Sequence, residues 1–389
     1  MTNRILSILA VLLFSFCGFN AQLSSNSPRV RDLGIPFDGI PGRFNAITDV
    51  PGVLVGHTTL INGEGPHAIR TGVTAILPRA GLKYYPAASF GLNGDAEMSG
   101  TIFAEEFGLL RSPIMLTGTA SNGTVYTSVI KWSARKFPDW PVHMPVVADT
   151  WDADVSDYLS FPIREQDVFA ALDGAKSGPV AEGNVGGGTG MMCHFFKCGI
   201  GTSSRVLSTE KGGYTVGVLV QANYGRREDS LIAGVPVGRE ISDLQPEFPP
   251  DPEEKKPATP EEEGSILIIV ATNAPVSSLT LKAMAKRATM GLARNGATAN
   301  PSSGDVVLAF ATTPVEWDRK QPQYVRRGET LFEYSVGPLY SATIQATEEA
   351  VINALVAAKT MTGMKGAKVH ALPHDRLRKI LSKYNRLQK

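Results

Sequence analysis

The chain has 389 residues, 43% of them hydrophobic, enough to bury one large core or two. Its 38 Lys and Arg against 37 Asp and Glu leave a formal net charge of +1, which excludes the basic footprint of a nucleic-acid binder; clusters such as Arg226-Arg227 read as solvated faces. The six histidines are scattered and form no H-E-x-x-H, so no metal site is expected.

Residues 1–21 read as an export signal. Arg4 gives the positive start, Ile5 to Phe16 is apolar but short for a bilayer, and Phe19-Asn-Ala21 offers a cut before Gln22. Phe16 stands where a lipidated Cys17 would need a small neighbour, so soluble export to the periplasm or medium is expected, with no membrane contact once the signal is gone. Gly52–Gly56 and Val73–Pro78 are short strand-like runs, Ser121–Lys136 is a helix, Pro145–Ala148 a buried strand, and Glu165–Leu172 a further helix. Gly183-Asn-Val-Gly-Gly-Gly-Thr-Gly190 allows close backbone approach and reads as a loop lining a pocket or lying against a cleavage point. Cys193 and Cys198 are either two free thiols or one local bridge.

Tyr214–Asn223 is a strand of strong β-branched character. Residues 245–264 are rich in proline and charge and read as an exposed processing loop. Ser265-Ile-Leu-Ile-Ile-Val-Ala271 follows, with the length and branching of a buried strand. Ser277 or Ser278 caps a helix to about Arg294, 305–312 is a strand, 342–362 a long helix ended by Gly363, and 375–385 a short basic helix.

A small nucleophile thus sits where a loop becomes a core strand. Cutting the Gly264–Ser265 bond would leave Ser265 a free α-amine, which titrates near ~8 and can serve the adjacent hydroxyl as a base. Asn223 at a strand end can donate to an oxyanion. Ser303 and Asp305, two residues apart at a strand mouth, can point into one pocket and handle a proton. There is no G-x-S-x-G elbow.

Taken together, Asn45-Ala-Ile-Thr-Asp-Val-Pro-Gly-Val-Leu-Val-Gly-His57, Gly186-Gly-Gly-Thr-Gly-Met191, Gly199-Ile-Gly-Thr-Ser-Ser-Arg205, Val218-Leu-Val-Gln-Ala-Asn-Tyr-Gly225, Gly264-Ser265 and Ser302-Ser-Gly-Asp305 span nearly the whole mature chain. On these motifs the chain resembles the self-processing D-aminopeptidase/esterases and β-peptidyl aminopeptidases, which are N-terminal-nucleophile-like serine peptidases. The resemblance implies an α/β fold, a four-layer α/β/β/α sandwich with connectivity unlike other N-terminal-nucleophile hydrolases. It implies a single catalytic domain cut into an α chain (22–264) and a β chain (265–389) that stay together, and αβ pairs that assemble further into a homo-oligomer.

It also implies Ser265 as nucleophile, Asn223 as oxyanion donor, Ser303 and Asp305 as supporting groups, and Asp149 as the acid receiving the substrate ammonium. Asp149 is shorter than the glutamate expected there, and Trp151 stands where some relatives carry an active-site tyrosine. The implied activity is release of N-terminal L-, D- or β-amino acids from short peptides, amides or esters through an acyl-enzyme, with no cofactor. The rival readings are an exported non-catalytic binding protein of this fold and an acyltransferase of a related fold.

Overall fold

The computed structural model describes residues 28–139, 141–250, 264–318 and 325–387. Residues 1–21, read above as an export signal, and residues 251–263 of the expected processing loop lie outside them. The longer strands are β1 (Leu54–Asn62), β2 (Ile69–Leu77), β3 (Tyr85–Gly91), β4 (Ile114–Gly118), β5 (Val146–Thr150), β6 (Ile200–Val206), β7 (Thr215–Asn223), β8 (Gly264–Thr272) and β9 (Ser303–Ala311). They build two sheets. One runs β1-β2-β4-β5; the other runs from a two-residue edge strand, Leu109–Leu110, through β3-β9-β8-β7-β6.

Side-chain alternation generates the layers. In β8, Leu267, Ile269 and Ala271 face one way and meet Ile76, Leu116, Val146 and Ala148 of the other sheet. Ile266, Ile268 and Val270 face the opposite way and pack under helices α3 (Ser278–Ala293) and α4 (Gly337–Ala357), numbered here after α1 (Asn122–Lys136) and α2 (Glu165–Asp173). The latter two cover Val73, Ala75, Met115 and Val147 on the far side of the four-stranded sheet. The order helix, sheet, sheet, helix is the four-layer sandwich, and it explains why β8 reads as a continuous apolar run: both its faces are buried.

Three readings need correction. Gly264 is not the tail of an exposed loop; it is the buried first residue of β8. The long helix runs Gly337–Ala357 instead of 342–362, because Pro338 in its first turn fits the helix start and Ala358 is already extended, turning the chain toward the pair Met361–Thr362 and Lys368–Val369. The glycine-rich loop packs into the core. Gly186–Gly188 form one buried turn threaded between the sheets, where a Cβ on Gly187 would lie 2.1 Å from Gln221 Oε1 and 2.6 Å from the Leu116 carbonyl oxygen. The cysteine alternative resolves to a bridge: Cys193 and Cys198 are disulfide-bonded across the hairpin Met192–Cys193/Phe196–Lys197.

A buried carboxylate ties distant segments together. Glu349 of α4 accepts from Arg31 at 2.8 Å, Arg205 at 2.7 Å and Asn45 at 2.6 Å. Arg205 and Glu349 are both fully buried. Removing one partner strands the other's charge, so Glu349→Ala should cost about 3–5 kcal/mol of unfolding free energy by denaturant titration. An unchanged midpoint would show that the node carries no stability.

Candidate active site

β7 and β8 are antiparallel, with Asn223 directly opposite Ser265. Residues facing each other across such a ladder point to the same side, so both side chains turn toward the space between the sheets. Beyond them that space opens into a cavity of about 600 Å³ lined by Ser265, Asn223 and Gly264 on one wall and by Asp149 and Trp151 on the other. The Asn223 Oδ1 accepts the backbone N–H of Met192 at 2.7 Å. An N–H can only donate, so this bond fixes the amide orientation and leaves the NH2 end as the donor.

Asp149 lies near the end of β5, on the sheet opposite Ser265. Its carboxylate accepts from Asn122 Nδ2. Burial raises its pKa; hydrogen bonds from Thr119 and Asn122 oppose that shift, and the like charge of Glu97 adds to it. Asp95, Glu97 and Asp154 also line the cavity, and among the described residues no Lys, Arg or His does. The field inside therefore favours a cation. Trp151, 40% exposed, forms part of the wall and packs on Tyr158 with ring centroids 5.0 Å apart.

Ser303 and Asp305 are joined, with Ser303 Oγ donating to Asp305 Oδ1 at 2.9 Å. The expectation that they point into the pocket is corrected. Both belong to β9 itself, and their alternation puts them on the face of Val307 and Ala309, toward the helices, while Ser265 shares the face of Leu267. Parallel pairing sets Ser303 beside Gly264 and Gly304 beside Ser265. The pair thus flanks the Gly264–Ser265 backbone link from behind, and Ser302 is the serine of this motif that lines the cavity.

Some site residues escape sequence reasoning. Asn93 donates to Asp305 Oδ2 at 3.2 Å and accepts the Asp305 N–H, clamping that carboxylate. Asp95 and Glu97 follow in the same segment; the polar, glycine-bearing Gly91–Glu97 stretch after an apolar run was their one signal. Gln221, two residues before Asn223, donates to the Thr117 carbonyl and to Thr150 Oγ1, while its buried Oε1 has no partner among the described residues. Such an orphan acceptor costs roughly 1–3 kcal/mol.

A serine and an amide side by side in an acidic cavity, on a four-layer sandwich, define a hydrolase of the N-terminal-nucleophile fold. Residues 45–369 match peptidase family S58, and the chain belongs to that family. It is 45% identical over 393 residues to the β-peptidyl aminopeptidase BapA of Sphingosinicella xenopeptidilytica, covering 97% of this chain and 96% of that one. The structure is similar to a Burkholderia sp. β-aminopeptidase (TM-score 0.82, 42% identity, 92% and 99% of the two chains). It is also similar to the L-aminopeptidase D-Ala-esterase/amidase of Ochrobactrum anthropi, described as a variant of the Ntn hydrolase fold (TM-score 0.84, 38% identity, 93% and 100%).

Asp152 gives the site a pH signature. It is buried against Gly118 and Gly190, and burial raises its pKa from 3.8 to about 6. Between those values the folded protein holds a proton that the unfolded chain lacks, so this group's contribution to stability falls as pH rises through that window. Relative to Asp152→Asn, the wild type should lose about 2 kcal/mol from pH 4 to pH 6.5 in denaturant titrations. Parallel pH profiles would show that Asp152 titrates normally.

Proposed function

We propose that the protein is an exported serine aminopeptidase, activated by cleavage of its own Gly264–Ser265 bond, that acts on peptides, amides and esters bearing a free N-terminal amine. β-Aminoacyl substrates are included, in keeping with the names of its relatives. The observation that carries this reading is the Asn223–Ser265 pairing inside a cavity whose charged lining groups, among the described residues, are all carboxylates.

In the uncut chain the Ser265 hydroxyl attacks the Gly264 carbonyl, the acyl group moves from nitrogen to oxygen, and water hydrolyses the ester. Release frees the Ser265 α-amine next to Ser303, whose hydroxyl is already oriented by Asp305 and, through it, by Asn93. In turnover the α-amine takes the hydroxyl proton as Oγ attacks the substrate carbonyl, and it returns a proton to the leaving amine. The Asn223 NH2 donates to the oxyanion. Asp149 pairs with the substrate ammonium, which restricts cleavage to the first residue. Water then hydrolyses the acyl-enzyme.

Ser265→Ala should remove turnover entirely, and Asn223→Ala should lower kcat by ~10²–10³-fold; wild-type kcat in the latter would take Asn223 out of the oxyanion role. Aminoacyl p-nitroanilides test the substrate class directly. Free-amine forms should be cleaved and N-acetylated forms refused. Asp149→Asn should raise KM at least tenfold, with a smaller change in kcat. Equal turnover of acetylated substrates would refute aminopeptidase specificity.

A further inference from the structure

We propose that Gln221 is a positioning residue that sets the span between the ammonium site and the nucleophile, and thereby discriminates substrates with one carbon between amine and carbonyl from those with two. This rests on the aminopeptidase reading above. The two ends of a bound substrate are held by different sheets: Asp149 belongs to β5, and Asn223 and Ser265 belong to β7 and β8. Between the sheets the contacts are largely apolar, and apolar contacts lack the directionality of a hydrogen bond.

Gln221 supplies the register. It lies on the same face of β7 as Asn223, one alternation deeper, and is fully buried. Its Nε2 donates to the Thr117 carbonyl of β4 at 2.9 Å and to Thr150 Oγ1 of β5 at 2.7 Å. Thr150 directly follows Asp149. One rigid amide therefore connects the strand of the oxyanion donor to the strand of the ammonium-binding carboxylate. Gly187 seals the other side, since a Cβ there would reach 2.1 Å from Gln221 Oε1. This gives the glycine-rich loop a task that its sequence did not reveal: it lets the amide fit edge-on between the sheets.

An extra backbone carbon lengthens the amine-to-carbonyl reach by about 1.5 Å. Hydrogen bonds of 2.7–2.9 Å fail well before a displacement of that size, so an intact brace holds one span and disfavours the other. The test compares kcat/KM for the p-nitroanilides of L-alanine and of β-homoalanine in wild type, Gln221→Met, Thr150→Val and the double variant, with Tm recorded for each. Gln221→Met keeps the side-chain length and removes both bonds, and Thr150→Val removes one acceptor from the opposite sheet without changing shape.

The wild type should prefer one substrate, and each single variant should move that ratio toward one, by at least tenfold for Gln221→Met. The double variant should go no further than Gln221→Met. Should Gln221→Met fail to give folded protein, Thr150→Val carries the same reading. A purely structural role would lower Tm, or both rates equally, and leave the ratio alone; that result, or a wild-type ratio near one, overturns the inference. A wild type inactive on both substrates overturns the aminopeptidase reading along with it.

Discussion

The hydrogen-bonded register between β7 and β8 is the constraint on which the rest of the structure depends. From Val216 opposite Thr272 to Asn223 opposite Ser265 the ladder is unbroken. It fixes which side chains face the cavity, and a slip of one residue would send Ser265 to the helix side and bury it under α3 and α4. The ladder is held by burial on both faces, so the core that stabilises the fold also aims the nucleophile. Near the site, polar groups refine that aim. The Met192 N–H turns the Asn223 amide, and the disulfide of Cys193 and Cys198 closes the hairpin whose first residue supplies that N–H.

The second sheet does a different job. Its strand β5 delivers Asp149 to the far wall, where burial and the neighbouring Glu97 disfavour the ionised form while Thr119 and Asn122 support it. Among the described residues the cavity's charges are thus of one sign, which suits the ammonium end of the substrate proposed above. Ser265, the proposed nucleophile, and Asp149, the proposed ammonium receptor, come from separate sheets whose outer faces are covered by separate helix pairs. On the proposed reading, specificity depends on how the sheets are docked, and the few polar contacts between them, such as those of Gln221, bear directly on it.

Much of this was legible in the sequence. The Ser265–Ala271 strand, the Ser277-capped helix and the Tyr214–Asn223 strand all carry local signals, and the structure starts or ends them within a residue or two. Asn223 and Ser265 stood out because each marks the end of an apolar run. What the sequence hid was anything set by a partner strand. Ser303 and Asp305 looked like pocket residues because their spacing gives a shared face but not which face; only pairing with Gly264 and Ile266 shows that they stand behind the Gly264–Ser265 link. Asn93 and Gln221 acquire their roles across sequence separations of 71 or more, as in the 104-residue separation of Gln221 and Thr117, and no local pattern encodes such a meeting. The glycine-rich loop misled for the same reason, since its close approach is to a core amide and not to a ligand.

On the proposed mechanism, the working nucleophile is a chain end. Intact-mass measurement of catalytically active protein under denaturing conditions tests it most directly. Two species are expected, the lighter one beginning at Ser265 with an unblocked amine, and activity should rise in step with their appearance. Full turnover by protein whose mass corresponds to the uncut chain would contradict it.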